Sequence, residues 1–236
     1  MNAFSYRVQT LQPSAIREIL KFTADPEVIS FAAGNPAPEA FPTEEIARIT
    51  NEILTTTPID ALQYSITEGY TPLRNWIKDD LKKKGMFNEN DEDVVITSGA
   101  QQAIEVVTKE ICNEGDTIIC EAPTFIGSLN AFRSYNAKLV GVEMEDDGIN
   151  IDKLEKALIE NPRTAFIYLI PNFQNPTGKT MSLEKRKAVL ALAQKYNVYI
   201  LEDNPYGDLR YIGENVPTIK SVSYTHLRAH ETRRHL

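Results

Sequence analysis

A chain of 236 residues that is 42% hydrophobic and 25% charged has the composition of an ordinary folded domain, neither disordered nor fibrous. Its net charge of −8 argues against a nucleic-acid groove, the more so because Arg228, Arg233 and Arg234 concentrate positive charge in the last few residues. No run approaches the roughly 18 apolar residues of a membrane span and the N-terminus lacks a signal-peptide core; Cys112 and Cys120 lie in apolar runs that suggest packing roles in a reducing, cytoplasmic compartment.

In chain order, "SAIREILKFT" (14–23) reads as a short amphipathic helix opened by Ser14, and "FPTEEIARITNEIL" (41–54) as a second with Thr43 as N-cap. The Gly- and Pro-rich loop between them, "ISFAAGNPAPEAFP", can bring its backbone close to another group. "TPLRNWIKDDLKKKG" (71–85) predicts a helix started at Pro72 and stopped at Gly85, with Leu73, Trp76, Ile77 and Leu81 on one face. Strand and helix patterns then alternate: "DVVIT" (93–97), "AQQAIEVVTKEICNEG", "DTIICE", "TFIGSLNAFRSY", "AKLVGVE", "IDKLEKALIE", "TAFIYLI", "SLEKRKAVLALAQKY" and "VYILED". Short β-branched runs without strict alternation suit strands buried on both faces, so an α/β doubly wound domain with a parallel sheet is expected. Residues 1–50 read as an N-terminal arm and cap, 51–221 as the large domain and 222–236 as a foreign tail.

Ligands of such sheets sit beyond the carboxyl ends of the strands. After "DVVIT", Gly99 leads into a helix and presents backbone N–H groups to an anion, or simply makes a tight turn. After "TAFIYLI", Pro171, Pro176 and Gly178 restrain the loop around Asn175, which is equally the chemistry of a structural turn. After "VYILE", Asp203 is a carboxylate at the end of a buried strand; it either caps the next turn or awaits a cationic partner.

"TSGAQQAI", "APTFIGSL", "PNFQNPTGKT" and "ILEDNPYGDLRY", in this order and spacing, resemble the class I and II aminotransferases of fold type I, which depend on pyridoxal 5'-phosphate. The likeness covers nearly all of residues 10–221 and leans toward the branch of 2-aminoadipate, kynurenine, branched-chain and aromatic transaminases. That branch is similar in turn to the aminotransferase-like domains of some bacterial transcription regulators. The resemblance implies a three-layer α/β/α large domain, here ending before the last strands and the C-terminal small domain. It implies that Gly99, Ala100 and Gln101 hold the cofactor phosphate, Phe125 stacks on the pyridine ring, Asn175 and Tyr206 bond its phenolic oxygen, and Asp203 pairs with the ring N–H. Gly34 would lie near the substrate carboxylate, and Tyr64 would reach across a homodimer interface. The reaction implied is transfer of an amino group between an amino acid and a 2-oxo acid, with no nucleic acid, membrane or metal as partner.

The family's catalytic lysine is expected beyond the point where the pattern stops, after "GENVPTIKS", so the chain by itself is expected to be inactive. Lys179 and Lys220 are poor matches for it, and no catalytic residue is assigned. All three histidines, His226, His230 and His235, fall in "SVSYTHLRAHETRRHL", where the His226 and His230 spacing alone would suit a zinc pair but lacks a third ligand. The tail instead resembles read-through of a cloning adaptor. A regulator would carry a DNA-binding domain ahead of this region, whereas Met1 precedes the first family-like helix by only about a dozen residues; the expectation is therefore an enzyme.

Overall fold

The computed structural model describes Ser5, residues 27–29 and residues 36–226. The expected helix over 14–23, Gly34, His230 and His235 lie outside the described residues. Among those described, one compact unit comprises residues 27–29 and 36–75 with Val94–Ile96, and a larger one comprises Ser5, Trp76–Asp93 and the chain from Thr97 onward.

The smaller unit contains α1 (Thr43–Thr56) and α2 (Pro58–Leu62). Thr43 is not the N-cap: it is the first helical residue, and Pro42, whose ring already restricts φ, stands before it. The boundary read at residue 50 falls inside α1. In α3 (Thr71–Lys83) the expected apolar face is only half realised, because Leu73 and Trp76 are exposed while Arg74 is buried. "DVVIT" is not a strand. Its ladder positions are taken by other groups: the Ile96 N–H donates to the Glu68 carbonyl at 2.9 Å, and the Val94 carbonyl accepts from Arg74 Nε at 2.6 Å. Gly69, at φ +109°, allows this approach, since a Cβ there would stand 2.6 Å from the Ile96 side chain.

The larger unit carries α4 (Ala100–Ile111), β1 (Thr117–Ala122), α5 (Ile126–Ser134), β2 (Lys138–Glu145), β3 (Gly148–Ile149), α6 (Ile151–Glu160), β4 (Thr164–Leu169), α7 (Leu183–Tyr196), β5 (Tyr199–Glu202) and α8 (Ile219–His226). The sheet order is β3-β2-β1-β4-β5, parallel throughout except for the short antiparallel pair β2–β3. Alternate residues of each strand feed opposite layers. Ile119, Ile167 and Leu169 pack with Leu154, Leu158, Val189 and Leu192 of α6 and α7 on one face. Ile118, Cys120, Phe166 and Tyr168 pack with Ile104 of α4 and Phe132 of α5 on the other. Helices thus cover both faces, the three-layer α/β/α arrangement that buried parallel strands require. Asn150 and Ser182 cap α6 and α7 through their side-chain oxygens, and Cys112 and Cys120 are free and buried. Among the described residues no helix is long and apolar enough to cross a membrane.

Candidate active site

Because β1, β4 and β5 run parallel, their carboxyl ends at Ala122, Leu169 and Glu202 lie along one edge of the sheet. The segments leaving that edge are joined by side-chain hydrogen bonds. Asn175 Nδ2 donates to the Tyr206 hydroxyl at 3.4 Å, and Asn172 Nδ2 to Asn204 Oδ1 at 2.8 Å, tying the loop after β4 to the loop after β5. Gln174 Nε2 reaches back to the Pro123 carbonyl at 2.8 Å, while its Oε1 accepts from the Thr177 backbone, which closes the loop around Asn175. Tyr168 donates to Asp203 Oδ2 at 2.7 Å, and Gln101 Nε2 donates to the Gly127 carbonyl at 3.2 Å, joining the start of α4 to that of α5. Asn175 and Tyr206 are thus bonded to each other, Asp203 to Tyr168 and Gln101 to the start of α5, all in the larger unit, which also holds Gly99, Ala100 and Phe125. Tyr64 lies in the smaller unit, 99% exposed.

Gly99 has φ +82° and ψ 168°, a conformation that side chains resist, and it starts α4 with no side-chain cap. The first-turn N–H groups have no intrahelical acceptor and are open to an anion, whose charge the helix dipole favours. A Cβ at Gly99 would meet nothing within 4 Å, so the glycine is required by its dihedral angles and not by crowding. Gly99→Ala is expected to twist this turn at a strain cost of roughly 1–3 kcal/mol. Calorimetric titration should show weaker binding of inorganic phosphate, with the far-UV circular dichroism unchanged. Gly127 is required for the opposite reason: a Cβ there would stand 2.5 Å from the Phe125 ring and 2.9 Å from Gln101 Oε1. The Phe125 ring lies against this bare backbone.

Burial raises the pKa of Asp203, and the Tyr168 hydroxyl pulls it back. Among the described residues Asp203 Oδ1 accepts no hydrogen bond, so half of this carboxylate is available to a cationic partner. The donor set fits pyridoxal phosphate: amide N–H groups for a phosphate, an aromatic ring, an amide and hydroxyl pair for a phenolic oxygen, and a carboxylate for a pyridinium N–H. The two lysines considered from sequence are engaged elsewhere. Lys179 Nζ donates to Asp146 Oδ1 and the Glu145 carbonyl, each at 3.0 Å, and Lys220 Nζ pairs with Glu92 at 3.0 Å.

Several supporting residues were not singled out from sequence. Arg186 is fully buried and donates to the carbonyls of Met181, Val216, Pro217 and Pro171 and to Asn172 Oδ1. Its signal was its place on the apolar stripe with Val189, Leu192 and Ala193, where a charge is out of pattern. Glu121, 1% exposed at the end of β1, accepts from the Ile170 N–H and Gln174 Nε2 through Oε2, while Oε1 is buried without a partner. Burial pushes its carboxyl up to about 7.

The family model for aminotransferase class I and II matches residues 26–228. The chain is 42% identical over 222 residues to aromatic-amino-acid aminotransferase 1 of Thermococcus litoralis, covering 92% of this chain and 53% of the relative. It is 41% identical over 212 residues to 2-aminoadipate transaminase of Thermus thermophilus, covering 90% and 51%. The crystal structure of Pyrococcus horikoshii kynurenine aminotransferase in complex with PMP superposes with a TM-score of 0.86 at 37% identity, over 93% of this chain and 55% of that one. An Escherichia coli protein described as an uncharacterized HTH-type transcriptional regulator is 32% identical over 203 residues, covering 86% and 40%. The chain thus spans about half the length of the relatives it matches, and the cofactor of the family is pyridoxal phosphate. With the family model matching most of its length, the chain belongs to the class I and II aminotransferases.

Proposed function

We propose that this chain forms the cofactor-binding part of a pyridoxal-phosphate-dependent aminotransferase that moves an amino group between an amino acid and a 2-oxo acid. The observation that carries this is the half-buried carboxylate of Asp203, whose Oδ2 is held by Tyr168, three residues ahead of the Tyr206 hydroxyl that Asn175 bonds. When bound, the cofactor supplies an electron sink for the charge left on Cα as the substrate proton departs. The α4 N-terminus with Gly99, Ala100 and Gln101 holds the phosphate, Phe125 covers one ring face, and Asn175 with Tyr206 orients the phenolic oxygen. Asp203 keeps a proton on the ring nitrogen, which makes the sink stronger.

Gly34 would serve the substrate carboxylate, and the exposed Tyr64 supports a homodimeric assembly in which it meets a second subunit. The free, buried cysteines support a reducing, cytoplasmic setting. Lys179 and Lys220 are paired to acids, so neither is assigned the catalytic role.

Fluorescence titration with pyridoxamine phosphate tests the reading. Saturable binding is expected, and Asp203→Asn should weaken it by about 10- to 100-fold, the worth of a hydrogen bond to a charged group. Indifference of affinity to residue 203 would overturn it. The likeness to the HTH-type regulator favours a second reading, a ligand-sensing domain. Extending the chain to the length of its relatives separates the two: 2-oxo-acid-dependent amino transfer supports the enzyme, and operator binding without transfer supports the sensor.

A further inference from the structure

Within "AFIYLI" (165–170) Tyr168 is the one side chain with a polar tip, and it is completely buried. On β4 it stands opposite Leu201 of β5; Asp203 follows two residues later and so projects from the same face of the sheet. The Phe132 ring packs edge-on against the Tyr168 ring at 5.3 Å and 73°, fixing where the hydroxyl points. Two bonds then meet at that oxygen. The Ser128 hydroxyl, itself fully buried on α5, donates to it at 2.8 Å, and it donates to Asp203 Oδ2 at 2.7 Å.

The direction of this chain is dictated by chemistry. An ionised carboxylate only accepts, so the single phenolic proton goes to Asp203 and the serine supplies its own proton to the tyrosine. We propose that Tyr168, oriented by Ser128, is the positioning residue that clamps Oδ2 of Asp203 and so leaves Oδ1 to face a cationic ring nitrogen. This rests on the cofactor reading of the site. A phenol at this place also favours the ionised carboxylate, whose desolvation otherwise favours the neutral acid, and a neutral acid attracts no cation.

The test is a double-mutant cycle on the full 236-residue chain, with pyridoxamine phosphate as probe and inorganic phosphate as a second probe that lacks the ring. Tyr168→Phe keeps the packed ring and removes only the hydroxyl. It should weaken pyridoxamine phosphate about tenfold, leave phosphate affinity unchanged, and have no further effect once Asp203 is asparagine. Ser128→Ala, which leaves the Tyr168 to Asp203 bond in place but frees the hydroxyl to turn, should fall between wild type and Tyr168→Phe. The nitrogen-15 shift of the bound ring nitrogen should move toward the unprotonated value in Tyr168→Phe at a pH where wild type holds the proton.

Equal loss for both probes, or additive losses with Asp203→Asn, would mean a structural role only and would overturn the proposal. Wild-type affinity in Tyr168→Phe while Asp203→Asn binds poorly would overturn it and leave the cofactor reading standing. Indifference to residue 203, or no binding by wild type, would overturn both.

Discussion

Replacing Arg186 with methionine is expected to destabilise the larger unit by about 3–5 kcal/mol, measured as a fall in the urea midpoint at constant slope. The side chain is fully buried, and its guanidinium serves five oxygens drawn from three places: the start of the loop after β4 (Pro171 and Asn172), the approach to α7 (Met181), and the segment ahead of α8 (Val216 and Pro217). Methionine fills much of the volume but removes the donor to the buried Met181 carbonyl and Asn172 Oδ1, each costing roughly 1–3 kcal/mol if no water enters, while the Pro171 carbonyl keeps the Met181 N–H and the Val216 and Pro217 carbonyls lie nearer solvent. Burial lowers the Arg186 pKa to about 10, which still leaves it charged at neutral pH. Since Asn172 bonds Asn204, the same variant should loosen the attachment of the Asp203 loop and weaken pyridoxamine phosphate binding beyond what global stability accounts for. A variant that kept wild-type stability would show that water or other groups replace the guanidinium.

The second large effect is expected at Glu121. Its folded pKa of about 7 lies above the ordinary carboxyl value because burial outweighs the bonds from the Ile170 N–H and Gln174. The native state therefore holds this proton where the unfolded chain has released it. Its contribution is greatest below the ordinary carboxyl pKa, declines as pH rises toward 7, and is flat above, for a total of about 3 kcal/mol. Glu121→Gln removes the titration while keeping an oxygen for the two donors, and its amide nitrogen takes the place of the partnerless Oε1. The stability difference between variant and wild type should hence move in the variant's favour between pH 4.5 and pH 8, followed by urea denaturation at each pH. Carboxylates whose pKa values are lowered, such as Asp116 beside Arg163 and Asp147 beside Lys185, act in the opposite sense, but they cancel in the comparison. A difference that stays constant with pH would show that folding does not raise the Glu121 pKa.

Most of the alternation of strands and helices could be read from periodicity, because a strand buried on both faces and a helix with one apolar stripe leave different local patterns. The failures have specific causes. "DVVIT" has the composition of a strand but no ladder, since pairing is a property of two segments and its hydrogen bonds go to Glu68 and Arg74. The apolar stripe of α3 was legible, but which side is covered depends on what packs there, and Arg74 is the buried residue. Arg186 and Glu121 were not singled out from sequence, because the groups that satisfy them lie 5 to 53 residues away.

Glu202 and Asp203 show where the division falls. The sequence by itself determined that two carboxylates end the run "VYILED" and that Asp203 either caps the next turn or awaits a cationic partner. Strand alternation, a local rule, further requires that they point to opposite faces. Tertiary structure alone decided what each meets. Glu202 accepts from the N–H groups of Ile219 and Lys220 and caps α8, whereas Asp203 meets the Tyr168 hydroxyl and keeps one oxygen free. Residue type and alternation are carried by neighbours in the chain, but the partner that turns a carboxylate into a helix cap or a cation site is brought by the packing of distant segments.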